Sequence, residues 1–225
     1  MQSKSFYLSF NIRIMLQLKD VTIKYGEKTV INHLSLDVDR GQLVCICGES
    51  GCGKTSLLNA IMGFVAFEGE ILIDGIQVSH TNIDSIRRMI AYVPQELALP
   101  QETVKEMIYL PFSLKANHQK DYSDEKVLKE WEFLNLDRSI LEKRTTEISG
   151  GQRQRVMLSV AGLLHKKLIL VDEPTSALDP ESAQLVLRYF RHLIDNENVT
   201  IVVASHHKAI IDNSDQVVEI KTLNF

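Results

Sequence analysis

Three short stretches of this chain combine residue types that chemistry on a phosphate would need. The first is Gly48-Glu49-Ser50-Gly51-Cys52-Gly53-Lys54-Thr55, followed by Ser56. Its spacing fits G-x-x-x-x-G-K-[ST], in which glycines let backbone N–H groups turn toward a phosphate chain. The helix that follows adds the positive end of its dipole. Lys54 is placed to bridge β- and γ-phosphates, and the Thr55 hydroxyl to ligate Mg²⁺. The second stretch, Leu168–Pro174, is a continuous apolar run ending in Asp172 and Glu173. Adjacent acids at a strand end suit divided labour: Asp172 holds Mg²⁺, usually through water, and Glu173 polarises an attacking water. A lone Asp-Glu pair would read as ordinary solvated charge; with the phosphate loop upstream it becomes the second half of an ATP-hydrolysing site. The third stretch is Ile148-Ser149-Gly150-Gly151-Gln152. Ser-Gly-Gly cannot propagate a helix but can start one, and a serine with bare backbone at a helix N-terminus makes a second anion site.

The elements that must position these groups are legible around them. Leu43–Cys47 and Leu168–Val171 are continuous apolar runs, as expected for parallel strands buried on both faces, and Thr200–Ala204 is a third. Functional loops at the C-terminal ends of such strands imply an open α/β sheet. Leu16–Ile23, Val30–Val38 and Glu70–Asp74 read as strands of a small antiparallel sheet, with Asp74-Gly75 as a turn. Residues of about 96–155 read as a helical insertion. Thr103 and Glu106 match a capping box, Ser123 precedes two acids suited to a first turn, and Val127, Leu128, Trp131 and Leu134 share one face. Val156, Leu158, Ala161, Leu163 and Leu164 give the helix after Gly151 an apolar stripe. The fold class is thus α/β, with an antiparallel β subdomain and a helical insertion; the phosphate loop between a buried strand and a helix resembles that of the P-loop NTPases, and this resemblance implies a RecA-like core. The domain spans 15–225, and residues 1–14 form a peripheral leader.

Composition narrows the partners. The formal net charge is −4, so the chain is a poor candidate for a non-specific nucleic-acid binder, which needs a basic face, and no nucleic-acid partner is expected. Three cysteines make no disulfide framework and point to a reducing compartment. Cys45 and Cys47 lack the further ligands that a zinc half-site needs, and Cys52 reads as a small residue that fits its loop. No run of 18 apolar residues exists, so nothing in the sequence reads as a membrane span. The opening MQSKSFYLSFNIR has too short an apolar patch for a signal peptide.

Taken together, GESGCGKT, ISGGQ and LILVDEP, with Gln95 in AYVPQ, Ser176-Ala-Leu-Asp179 and His206 in VVASHH, resemble the ATP-binding-cassette ATPases over about residues 15–220. The resemblance implies a homodimer formed head to tail on ATP binding, with two ATP molecules between protomers. Each ATP would meet the phosphate loop of one chain and Ser149, Gly150, Gly151 and Gln152 of the other. It implies that Tyr25 lies under the adenine, that Gln95 senses Mg²⁺ or the attacking water, and that His206 contacts the γ-phosphate. His207 is expected to face solvent. A separate transmembrane permease subunit would be the partner, and the chain would sit peripherally on the cytoplasmic face of the membrane. Leu97, Leu99, Tyr109 and Phe112 are candidates to dock it, with internal packing as the other reading.

The sequence departs from the family pattern at Ile148, at His207, at Val160 where many members carry Arg, and at Lys166 where many carry Pro. Its TSALD differs from the TGNLD of lipoprotein-release and macrolide-export ATPases, while Tyr109–Leu114 resembles ATPase subunits of metal-exporting systems. Other classes fit less well. DNA-repair and chromosome members carry a long coiled coil between the phosphate loop and SGGQ, and no heptads occur here. A phosphoryl-transferring kinase would not need SGGQ or the switch His, and a binding module without activity would not keep Lys54, Asp172, Glu173 and His206.

Overall fold

Alternating side chains build the first sheet. The structure, a computed structural model, describes residues 13–95, 103–117, 122–175 and 178–221. Strand β1 (Ile14–Tyr25) turns through Gly26-Glu27 into β2 (Lys28–Asp39), and β4 (Glu68–Ile73) pairs with the other edge of β1. Asp74 and Gly75, both at positive φ (53° and 75°), turn β4 into the short β5 (Ile76–Gln77), as two-residue hairpin turns of the primed type demand. The sheet is antiparallel throughout, in the order β2-β1-β4-β5. β1 starts ahead of Leu16, where alternation begins in the sequence. A register irregularity between Ile14 and Leu16 lets consecutive Ile14, Met15 and Leu16 all be buried, which alternation cannot reveal.

The second sheet is parallel, in the order β6-β7-β8-β3-β9, from β3 (Leu43–Cys47), β6 (Ile90–Val93), β7 (Leu168–Asp172), β8 (Thr200–Ala204) and β9 (Gln216–Glu219). Its central strands β7 and β8 are buried at every position because each face is covered. Leu43, Cys45, Val171 and Val203 join the core shared with the helical insertion, whereas Val44, Ile46, Leu170 and Val202 join the core under the antiparallel sheet. Burial pushes the Cys45 thiol up to about 12, so it behaves as a small apolar residue.

Helix α1 (Lys54–Ile61) follows β3, and α2 (Ile83–Met89) precedes β6. In the insertion, α3 (Val104–Ser113) carries the expected Thr103/Glu106 capping box and α4 (Asp124–Phe133) the expected Ser123 cap. Helix α5 (Gly150–Leu163) runs through residue 155, so the insertion's expected boundary falls inside a helix. A single apolar stripe on α5 is also too little. Val156, Met157, Leu158, Val160, Ala161 and Leu163 are all buried, because α5 is packed among α3, α4, β6 and α6 (Pro180–Glu197). Trp131 Nε1 donates to Ser159 Oγ at 3.0 Å inside this packing. A last short helix, α7 (Lys208–Asn213), follows β8.

Gly162 marks how tightly α5 meets α6. An added Cβ would overlap the Tyr189 hydroxyl and lie 3.1 Å from Leu193 Cδ2. Tyr189 cannot easily retreat, since it is buried and donates to Glu130 Oε2 at 2.6 Å. Alanine gains about 1 kcal/mol over glycine inside a helix, whereas overpacking costs about 1–3 kcal/mol, so overpacking wins. Gly162→Ala should lower the melting temperature by about 2–4 °C, the shift of roughly 1 kcal/mol in a chain this size. Calorimetry checks this, and an unchanged or higher melting point would show that α6 gives way.

Candidate functional site

The phosphate loop forms because β3 ends in a backbone path that side chains resist. Gly48, Gly51 and Gly53 adopt φ of 149°, 80° and 111°, and a Cβ on Gly48 would overlap the Ile220 carbonyl oxygen. Cys52 is 3% exposed and its Sγ lies against Gly48, which matches its reading as a residue that fits. Helix α1 then starts at Lys54, with its first N–H groups at the loop. The Lys54 ammonium folds back over this loop, donating to Gly48 O at 2.9 Å and Glu49 O at 3.1 Å. It stands 3.6 Å from Glu173 Oε1. The Thr55 hydroxyl donates to Asp172 Oδ2 at 2.7 Å, joining two residues far apart in sequence.

Parallel register brings the acids to the same place. β7 lies between β6 and β8, so its C-terminal end meets Gln95 on one side and Ser205-His206 on the other. Glu173 leaves the strand at φ 47°, a left-handed conformation unusual for a side chain larger than Asn, and its N–H donates to Ala204 O at 2.8 Å. That kink points its carboxylate at His206, whose Nδ1 is 3.0 Å from Oε1, and Ser205 Oγ lies 3.5 Å from Oε2. Asp172 is 2% exposed, and burial holds its carboxyl above the usual carboxylate range. The Thr55 hydrogen bond works against that shift and the neighbouring Glu173 charge with it.

These groups enclose a cleft of about 230 Å³. Ser50, Gly51, Gly53, Lys54, Thr55, Ser56, Gln95, Asp172, Glu173 and His206 line it, joined by Val30, which sequence reasoning did not mark. Gly48, Glu49 and Cys52 belong to the loop but do not line the cleft. Tyr25 stands beside it with its ring half exposed and its hydroxyl donating to Ser56 Oγ at 3.1 Å. Ser205 is the other unmarked residue; fully buried, it accepts from the His207 N–H at 3.1 Å. Its signal was only its place beside His206 at the end of an apolar strand. His207 is half-buried, against the expectation that it faces solvent, because it opens α7.

Asp172 Oδ1 is buried with no hydrogen-bond partner among the described residues. An orphaned carboxylate oxygen is costly, and hard oxygen donors such as this one and the Thr55 hydroxyl are what Mg²⁺ takes. The donor set therefore fits that ion.

Ser149, Gly150, Gly151 and Gln152 do not line this cleft. Ser149 caps α5, its Oγ accepting from Gln152 N at 3.1 Å, while Gln152 Oε1 accepts from Ser149 N at 2.9 Å. The Gln152 amide oxygen is thus engaged with its own helix start. Ser149 and Gly150 are exposed. Asp179 caps α6, and hydrogen bonds from the Ser182 N–H and hydroxyl hold its carboxyl below the usual range. Of the docking candidates, Phe112 is buried in the core and is ruled out, Tyr109 is exposed, and Leu97 and Leu99 lie outside the described residues, as do Ser176 and Ala177.

Known proteins are similar to this chain over most of its length. The profile of the family described as "ABC transporter" matches residues 31–176. An ATP-dependent lipid A-core flippase of Francisella tularensis subsp. holarctica is 32% identical over 206 residues, covering 89% of this chain and 34% of the flippase. The carnitine transport ATP-binding protein OpuCA of Listeria monocytogenes is 35% identical over 196 residues, covering 85% of this chain and 49% of OpuCA. The chain thus spans about a third to a half of the length of these relatives. The dimeric structure of MJ0796, a bacterial ABC transporter cassette, superposes with a TM-score of 0.82 at 28% identity, over 92% of this chain and 95% of that one. A post-hydrolysis state of MJ0796 bound to ADP and Pi gives 0.81 at 27%, over 93% and 97%.

The buried Asp172 gives a stability test. Its folded-state affinity for a proton exceeds that of the unfolded chain, so the folded state binds more protons just above the ordinary carboxylate range. Stability is therefore lost as pH rises through the raised pKa. Asn at this position does not titrate and can still accept from Thr55. Without nucleotide, Asp172→Asn should melt above the wild type at neutral pH, and the difference should close below about pH 4. Thermal melts across that range check it; a variant that melts lower at pH 7 would mean that the charge is stabilised in place.

Proposed function

The chain belongs to the ABC transporter family, and we propose that it is the ATP-binding and hydrolysing subunit of a membrane transporter, closing head to tail on a second copy around two MgATP. One observation carries the reading. The chain presents two phosphate-binding halves, the cleft at Lys54 and the exposed helix start at Ser149, and they do not meet within one protomer. A head-to-tail pair unites them, and MJ0796, similar over nearly its whole length, is dimeric.

Each group then has one task. Lys54 exchanges the Gly48 and Glu49 carbonyls for β- and γ-phosphate oxygens, and the freed loop N–H groups and α1 hold the rest of the chain of phosphates. Thr55 and Asp172 would hold Mg²⁺, with Gln95 at the cleft's edge able to reach the ion or the water. Held there, the ion would supply charge neutralisation to the phosphates. Glu173 takes the proton of the attacking water, while His206 steadies its carboxylate and reaches the γ-phosphate. Tyr25 lies under the adenine, its ring held by Ser56. Ser149, Gly150, Gly151 and Gln152 meet the other protomer's γ-phosphate with the N-terminus of α5.

No described helix is long and apolar enough to cross a membrane. On the resemblance to transporter ATPases and the similarity to the carnitine transport ATP-binding protein OpuCA, the reading assigns a separate permease subunit as partner and a peripheral place on the cytoplasmic face of the cell membrane. The lipid flippase and the carnitine transporter are similar to this chain to comparable degrees, 32% and 35%. The cargo accordingly belongs to the permease. Metal-ion export is the cargo reading we carry, on the likeness of Tyr109–Leu114 to metal-exporting systems.

Glu173→Gln separates binding from chemistry. General-base assistance is worth about 10²–10⁴-fold, so turnover should fall by that factor while MgATP still binds. Loss of one negative charge beside the γ-phosphate should also favour closure. Light scattering should find a dimer with MgATP and a monomer without it. Lys54→Ala should abolish hydrolysis and weaken binding. A Glu173→Gln chain that stays monomeric at saturating MgATP would overturn the dimer reading, and one that hydrolyses at the wild-type rate would remove Glu173 as the base.

A further inference from the structure

Lys166 is 7% exposed, an unusual burial for a lysine, and no role above uses it. Its Nζ donates to Arg88 O at 2.9 Å and to Asn117 Oδ1 at 2.5 Å. Asn117 is itself 8% exposed, and its amide is oriented by α3. Nδ2 donates to Pro111 O at 3.0 Å, which leaves Oδ1 as the acceptor facing the ammonium, and the Asn117 N–H donates to Leu114 O at 2.8 Å. The carbonyl freed at the end of α3 and the lysine are thus bridged by one amide.

The place of this contact gives it meaning. Ile90 pairs with Leu168 and Val93 with Val171. Arg88 and Lys166 lie two residues before the paired segment, and Gln95 and Glu173 two residues beyond it. The contact therefore closes one end of the β6–β7 pair, and the cleft opens at the other. Lys166 also stands three residues past Leu163, the end of α5, whose first residue is Gly150. The other end of α3 is fastened to the insertion itself, Val104 N donating to Lys143 O at 2.9 Å and Lys105 N to Leu141 O at 3.0 Å. α3 is thus held to the insertion at its start and to the parallel sheet at its finish.

We propose that Lys166 is a positioning residue: with Asn117 and the Arg88 carbonyl it fastens the helical insertion to the base of β6 and β7, and so sets where Ser149 stands relative to Gln95 and Glu173. The inference rests on the head-to-tail reading, because only there does the position of Ser149 matter to the neighbour's nucleotide. Loss of the clip should leave nucleotide binding within one protomer intact and weaken closure of two.

The test uses the full chain carrying Glu173→Gln. Lys166→Met removes the ammonium with little change in shape, and Asn117→Ala removes the acceptor should the first variant fold poorly. Each should raise the dimer dissociation constant in MgATP about tenfold, the effect of 1.4 kcal/mol. Affinity of the monomer for a fluorescent ATP analogue should stay within about twofold. The double variant should be no worse than the singles, since both break one contact. With Glu173 restored, the lost turnover should return as protein concentration rises. An unchanged dimer constant, an equal loss of monomer nucleotide affinity, or multiplying effects would each overturn the clip. If the Glu173→Gln parent itself fails to dimerise, the head-to-tail reading has failed instead, and amide hydrogen exchange in the monomer judges the clip. Lys166→Met should then speed exchange across 103–117 while 43–61 stay protected; uniform acceleration would mean general destabilisation and reject it.

Discussion

Two carboxylates and an ammonium share the buried end of one strand, and the rest of the molecule answers to that constraint. Asp172, Glu173 and Lys54 are each at most 7% exposed. Charges so placed are costly unless neighbours compensate them. The compensation comes from four directions: the Thr55 hydroxyl from α1, loop carbonyls from Gly48 and Glu49, His206 from the end of β8, and Lys54 and Glu173 from one another. Only a parallel sheet with β3, β7 and β8 adjacent delivers all of these to one spot, because it aligns the C-terminal ends of its strands. The compensation is also incomplete. Among the described residues Asp172 Oδ1 is left without a partner, and the carboxyl is held above its usual range.

The conformation of Glu173 follows from the same crowding. Continuing β7 in extended form would carry residue 173 along the strand direction. The left-handed turn, anchored by its N–H on Ala204 O, instead swings the side chain toward His206 and Lys54. Such backbone strain persists only where the surroundings over-determine it. Here β8 on one side and the phosphate loop on the other do so.

The departures from the family pattern find their reasons away from the cleft. Val160 lies in the middle of α5, buried on a helix with almost no exposed face, where an arginine would have to bring a partner into an apolar core. Lys166 replaces a proline common in the family at a position where its ammonium reaches both Arg88 O and Asn117 Oδ1. These differences belong to how the insertion is seated on the sheet.

Local order was written in the sequence wherever a short-range rule decides it. The glycine spacing of residues 48–53, the unbroken apolar runs that end at Cys47, Val171 and Ala204, the Asp74-Gly75 turn and the Thr103/Glu106 capping box each depend on residues within a few positions of one another. Each is where the residue pattern puts it. What the tertiary structure alone decided is everything that depends on register across the parallel sheet. The four-residue edge strands β6 and β9 have too few residues to show a period. The burial of Ile14 beside Met15 needs an irregular pairing that no alternation announces. The left-handed Glu173, the buried Ser205 beneath it and the reach of Lys166 to Asn117 all join segments that meet only after β7 has taken its place between β6 and β8. A sequence pattern reports the periodicity of one segment against water. It cannot report which carbonyl or hydroxyl another segment will bring, because that is fixed by strand order and by how α5 fills the space above it.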